Sequence, residues 1–306
     1  MIKNNSIQWL VLEKALLLSK ASLQEIGMRL SGDYPQSQNG KEFFGRLKLL
    51  RTQVDFKIPL QEIVEKSWEE AESIIDSSAR YGIHLICWED ELYPSRLRQR
   101  GDAPLVIYYR GNPICLNGPQ TLGIVGTRNP TYMGKQWAFK AGYQCAQKSI
   151  IMVSGMARGC DQEAHLGTLE GKGQTIGVLA FGLERIRESY LRKMEELILE
   201  NQGCLISEYP PETVPRINYF VARNRIISAL GDKLLVVETG VHGGTMHTVR
   251  FALEDKKPIG CWYSSPEPLK QPLREGNQVL IEQGWALPLK SDEDLNYYLK
   301  KFPVEK

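Results

Sequence analysis

The sequence predicts an α/β fold: a mostly parallel, doubly wound, Rossmann-like sheet preceded by a small helical region. Three observations predict it. From Leu122 onward, short apolar runs alternate with segments of helical periodicity. Those runs are nearly continuous in apolar residues, as strands covered on both faces require. Glycine-bearing turns follow three of the runs, where a helical pattern begins.

The expected strands lie at 122–125, 150–153, 175–179, 204–207, 233–238 and 258–262. The expected helices lie near 134–148, 162–171, 190–201, 222–230 and 245–255. Ahead of them, Ile83 to Cys87 and Leu105 to Tyr109 read as two further strands. Residues 6–80 read as helices. Ile7, Leu10, Val11, Ala15 and Leu18 fall at helical spacing, as do Ile63, Val64, Trp68, Ala71, Ile74 and Ile75. Between these lie a turn-rich stretch, Ser31 to Pro35, and a helical segment around Phe43 to Leu50. The expected division is a helical N-terminal domain over 1–78 and a Rossmann-like domain over 79–306.

Bulk properties limit the partners. Of the 306 residues, 42% are hydrophobic and 24% charged, which is ordinary for a globular protein. Net charge is +2, from 38 Lys and Arg against 36 Asp and Glu, so any field that attracts a polyanion must be local. No apolar run has the length of a membrane span, and Met1 to Asn5 lacks a signal-peptide pattern. The six cysteines are far apart in sequence without a Cys-x-x-Cys pair, so reduced thiols, no metal site and a cytoplasmic setting are expected.

In doubly wound sheets, ligands bind beyond the carboxyl ends of the strands. After the first strand of the alternating region comes Gly126-Thr127-Arg128-Asn129-Pro130. After the second comes Ser154-Gly155-Met156-Ala157-Arg158-Gly159-Cys160-Asp161. After Val236-Val237-Glu238 comes Thr239-Gly240-Val241-His242-Gly243-Gly244-Thr245. Glycines at a strand-to-helix turn let backbone N–H groups approach an oxyanion, and the following helix N-terminus adds free donors and a favourable dipole. Three such turns at one sheet edge, two of them with an arginine, point to phosphate. Asp161 reads as a helix N-cap and His165 as a locally bonded residue. Gly123-Ile124-Val125-Gly126-Thr127-Arg128 does not match the Gly-x-Gly-x-x-Gly dinucleotide fingerprint, and no Walker loop is present, which argues against a dehydrogenase or an ATPase.

Pro215 to Arg225 brings Arg216, Arg223 and Arg225 beside Tyr219 and Phe220. Guanidinium groups bind phosphate bidentately and stack on bases, and aromatic faces accept unpaired bases. Phe220 is expected in the core. Arg223, Asn224 and Arg225 are expected at phosphate, with pairing to Glu208 as the competing reading of the arginines.

These segments together resemble the DNA-processing protein A family (DprA, also called Smf). The resemblance is carried by Tyr81-Gly82-Ile83, Asp90-Glu91-Leu92-Tyr93-Pro94-Ser95-Arg96-Leu97, Asp102-Ala103-Pro104 and Tyr109-Arg110-Gly111-Asn112. It continues through Gly126-Thr127-Arg128, Ser154-Gly155-x-Ala157-x-Gly159-x-Asp161 with Ala164-His165, and Ser207-Glu208-Tyr209-Pro210-Pro211. Phe220-x-x-Arg223-Asn224-Arg225-Ile226-Ile227 and Gly276-Asn277 with Leu280-Ile281 and Gly284 complete it. The resemblance implies a single-stranded DNA-binding protein that protects the strand and loads a RecA-type recombinase in recombination and natural transformation. It also implies a homodimer with no catalytic residue and no cofactor. DNA phosphate would meet Arg128, Arg223 and Arg225, with the 154–159 turn in the same pocket.

Three features depart from the family. Gly243-Gly244-Thr245-Met246-His247-Thr248 stands where a Ser-Gly-Ser/Thr-Leu-Ile-Thr-like turn is usual, and Val221 replaces a common proline. The chain ends at Lys306, so the winged helix that some members carry is not expected. Two alternative functions follow. Gly243-Gly244-Thr245 with Glu238 faintly echoes a nucleotide N-glycosidase, and the pocket could instead sense a nucleotide.

Overall fold

The computed structural model describes residues 5–33, 37–263 and 275–300. Helices α1 (Asn5–Ala15), α2 (Lys20–Asp33), α3 (Gly40–Leu50) and α4 (Gln61–Arg80) form the N-terminal region. Ser31 to Asp33 continue α2 rather than turning, and Tyr34 and Pro35 lie outside the described residues. Asn39 caps α3 by accepting from the Glu42 N–H at 2.9 Å.

The chain continues through β1 (His84–Cys87), α5 (Ser95–Arg98), β2 (Val106–Gly111), β3 (Thr121–Val125), α6 (Tyr132–Gln147), β4 (Ile151–Gly155), α7 (Cys160–Glu170), β5 (Thr175–Leu179), α8 (Ser189–Glu200) and β6 (Cys204–Ser207). It ends with α9 (Ile217–Leu230), β7 (Lys233–Val236), α10 (Thr245–Glu254), β8 (Ile259–Trp262), α11 (Glu275–Glu282), β9 (Leu287–Leu289) and α12 (Asp292–Lys300). Among the described residues the strands form one sheet of order β1-β2-β6-β5-β4-β3-β7-β8-β9. The pairings from β6 to β9 are parallel, while β1–β2 and β2–β6 are antiparallel. Every residue of β3 to β8 is buried, as nearly continuous apolar runs predict.

The strand order reverses between β3 and β7. From β3 the chain steps outward through β4, β5 and β6; α9 then carries it back across the sheet, packing against β3, β4 and β5, to begin the other half at β7. Helices leaving β3 and β7 therefore diverge, and a crevice opens at their carboxyl ends. Apolar packing holds the crevice walls on both faces. Trp137 of α6 stacks on Trp262 of β8 at 5.4 Å. A single buried cluster runs from Trp9, Phe43 and Trp68 of the N-terminal helices to Tyr108 and Leu205 of the sheet. All six cysteines are buried and unpaired.

Candidate nucleic-acid interface at the switch point

The turn after β3 is seated on the turn after β4. The Cys160 N–H donates to Thr127 O at 3.1 Å. Gly159 has φ +86°, and a Cβ there would lie 2.5 Å from Arg128 O and 2.6 Å from Thr127 O. Gly126 faces the Cys160 side chain equally closely. Gly159 is thus required by close backbone approach, and Gly126 by the Cys160 side chain. Gly159, not Asp161, occupies the N-cap of α7, so Asp161 sits within the first turn and its side chain is free to point inward.

The third turn is anchored from the end of the chain. Asn277 is buried; its Oδ1 accepts from the Thr239 N–H at 2.8 Å, while its Nδ2 donates to Val237 O and Trp262 O at 2.8 and 2.9 Å. A Cβ on Gly276 would lie 2.6 Å from Thr239 O. This gives the Gly276-Asn277 motif a structural task. Glu238 is fully buried, and its carboxylate accepts from the Thr131 N–H and hydroxyl, each at 2.7 Å. Thr131 in turn caps α6. That position commits Glu238 to holding the start of α6.

Together the three turns and α9 enclose a cavity of about 380 Å³. Of the residues predicted from sequence, Gly126, Thr127, Arg128, Arg223, Asn224, Gly243, Gly244 and Thr245 line it. A second cavity of about 350 Å³ shares Arg128, Ala157, Phe220 and Arg223 with the first, and Arg158 lines only this one. Arg128 lies over the Phe220 ring at 5.2 Å, on the partition between the two. Arg158 reaches Glu188 at 3.3 Å and covers the Tyr190 ring at 4.5 Å.

Arg223 is 5% exposed. Its Nη1 donates to Val178 O, and its Nε has no hydrogen-bond partner. Burial lowers its pKa, opposed mainly by the Asp161 carboxylate. A guanidinium that lines a cavity is suited to hold an anion there. Asn224 Nδ2 donates to Gly244 O at 3.3 Å and ties α9 to the third turn.

Several sequence expectations need correction. Arg225 lines neither cavity: it is buried, with its Nη1 and Nη2 on the two Glu208 oxygens at 2.8 and 2.6 Å. The competing pairing is the one observed, because α9 starts at Ile217 and places Arg223 and Arg225 on different sides. Ser154 and Gly155 also lie behind the lining. Ser154 is fully buried, with its Oγ donating to Ile124 O at 2.5 Å. Gly155 leaves room for the Arg223 guanidinium, and its carbonyl accepts from His165 Nε2 at 2.7 Å. Phe220 is half-buried and walls both cavities instead of filling the core. Tyr219 stacks on Tyr209 at 4.1 Å, which occupies one of its faces. His165 bonds locally as expected, and burial lowers its pKa to about 4.

Sequence reasoning missed Thr239, Gly240 and Thr248 of the lining, and the inward role of Asp161. The first two were visible only as part of a glycine-bearing turn.

A sequence profile of the family described as DNA recombination-mediator protein A matches residues 84–300. The chain belongs to this family. Within it, the chain is 34% identical over 238 residues to the DNA processing protein DprA of Bacillus subtilis (strain 168), covering 77% of this chain and 78% of that protein. Two solved structures of the family share the fold. The DNA processing protein A from Streptococcus pneumoniae superposes with a TM-score of 0.77 at 24% identity, covering 99% of each chain. A Helicobacter pylori member, whose single-stranded DNA binding mode has been described, superposes with a TM-score of 0.64 at 26% identity, covering 72% of this chain and 97% of that one. Among the described residues, no helix is long and apolar enough to cross a membrane, and no cluster of His, Cys, Asp or Glu has the arrangement to hold a metal ion.

Proposed function

We propose that this chain binds single-stranded DNA through its phosphate backbone and acts in recombination and DNA uptake without catalysing a reaction. The observation that carries the reading is the pair of guanidiniums, exposed Arg128 and buried Arg223, that line one cavity where three glycine-bearing turns meet. The phosphate-binding set of the reading is Gly126, Thr127, Arg128, Arg223, Asn224, Gly243, Gly244 and Thr245, with Arg158 on the adjoining cavity. The single-stranded DNA binding described for the Helicobacter pylori relative supports the ligand class. A RecA-type recombinase and a second copy of the chain are the proposed protein partners.

The position of Glu238 weighs against the N-glycosidase alternative. Both of its oxygens serve the N-terminus of α6, so neither is presented to a sugar. The test of the DNA reading is a salt titration of binding to matched single- and double-stranded oligonucleotides. Backbone binding gives a log–log slope of about −0.7 per neutralised phosphate, with preference for the single strand. Binding that ignores salt, or a nucleotide that stabilises the fold more than an oligonucleotide does, would overturn it.

A further inference from the structure

The first cavity contains a carboxylate, which simple attraction of an anion does not explain. Asp161 is 6% exposed and lines the cavity with Arg128 and Arg223. The charged and polar groups that face it are the Arg223 guanidinium from α9, the Arg128 guanidinium from the β3 turn, the Ser154 hydroxyl from β4 and the Ala157 N–H from its own turn. The buried Cys160 thiol beside it also feels Glu238, and Arg223 also interacts with His165 and Tyr209. Gly155 makes the arrangement possible: a Cβ there would lie 2.5 Å from Asp161 Oδ2 and would collide with Arg223 Nη1.

We infer that Asp161 is a positioning residue that balances Arg223 while the cavity is empty and takes up one proton when a DNA phosphate enters. The inference rests on the phosphate reading above. One consequence of the phosphate reading and one observation lead to it. A phosphodiester beside Arg128 and Arg223 replaces Asp161 as their counter-charge and repels its ionised form. The second is the Ser154 hydroxyl, whose one proton is already given to Ile124 O, so that toward Asp161 its oxygen has only lone pairs to offer. A proton on Asp161 completes that bond, and an ionised carboxylate cannot. The proton comes from the buffer and returns to it on release. Burial already pushes the Asp161 carboxyl up to about 6, against the pull of Arg223, so the added anion has little further to move it before it is protonated at neutral pH.

Calorimetric titration with oligothymidylate, in buffers of different ionisation enthalpy, counts the protons exchanged on binding. Phosphodiesters and thymine do not titrate near neutrality, so protons taken up belong to the protein. The wild type is expected to take up close to one proton at neutral pH. Its affinity should fall up to about tenfold for each pH unit between roughly 6 and 8. Asp161→Asn keeps an acceptor for the Ala157 N–H; it should bind without proton uptake, show a flat profile and exceed the wild type at alkaline pH. Wild-type binding without proton uptake, or an unaltered profile in Asp161→Asn, overturns the inference and leaves the DNA reading standing. If the variant does not fold, the same calorimetry on a His242→Gln, His247→Gln double variant, which removes the two histidines beside the third turn, decides. Absence of oligonucleotide binding at every pH overturns both.

Discussion

Glu208 holds Arg225 with both carboxylate oxygens, at 2.8 and 2.6 Å, and the two side chains are only 12% and 10% exposed. Arg225 also reaches Asp102 O at 3.2 and 3.3 Å, joining α9 to the segment before β2. Removing one partner of a buried pair strands the other charge, at about 3–5 kcal/mol. Arg225→Ala is therefore expected to lower unfolding stability by that amount in urea titrations. At temperatures where it stays folded, the salt slope of DNA binding should be unchanged. A lowered slope would return Arg225 to the phosphate set.

Arg128 should behave oppositely. It is exposed, makes a cation–π contact with Phe220 and stands between the two cavities. Arg128→Ala is expected to leave stability within about 0.5 kcal/mol of wild type, as at other exposed positions. It should weaken oligonucleotide binding by about 1.5–3 kcal/mol, the worth of a hydrogen bond to a charged group. The log–log salt slope should shrink by about 0.7. Fluorescence anisotropy at several salt concentrations measures both quantities.

The contrast between these arginines shows where the sequence stops being legible. Strands β3 to β8 are readable because burial on both faces forces continuous apolar runs, and the turns after β3 and β4 because close approach at Gly126, Gly155 and Gly159 forces glycine. Strand β9 escapes notice: it has three residues, and Leu287 is exposed. The fate of Arg225 depends on Glu208, which belongs to the loop after β6, and no local periodicity encodes that meeting. Asp161 reads as a cap because it is the residue type that caps helices, yet the N-cap of α7 falls two residues earlier, on a glycine with φ +86°. Phe220 has the composition of a core residue, and only the crossing of α9 over β3, β4 and β5 brings it to the cavity wall.

Gly159 tests how far turn geometry supports the site. Its backbone, at φ +86° and ψ −128°, costs a substituted residue about 1–3 kcal/mol, and the added Cβ would meet Arg128 O and Thr127 O at 2.5 and 2.6 Å. Gly159→Ala is expected to lose stability by at least that amount. Because the clash falls on the turn that carries Arg128, DNA affinity should drop even under conditions where the protein is fully folded. Gly244→Ala is the control: a Cβ there meets nothing within 4 Å. Equal loss of stability in both would show that the β3 and β4 turns are not braced against each other.

The pH dependence of stability should be shallower than the buried histidine alone would give. His165 has its pKa lowered by burial to about 4, so it contributes stability at neutral pH that is lost as pH falls from about 6.5 toward 4. Asp161 has its pKa raised by burial to about 6, so it acts in the opposite sense: the folded state gains stability as pH falls from about 6 toward 4. Over the shared window each group contributes a slope of about 1.4 kcal/mol per pH unit, with opposite signs. Asp161→Asn removes one of the two. Its urea midpoint should then fall steeply between about pH 6 and 4, while that of the wild type changes little. Carboxylates titrating elsewhere are common to both proteins and drop out of the comparison. Parallel profiles would mean that Asp161 stays ionised throughout this window in the folded protein.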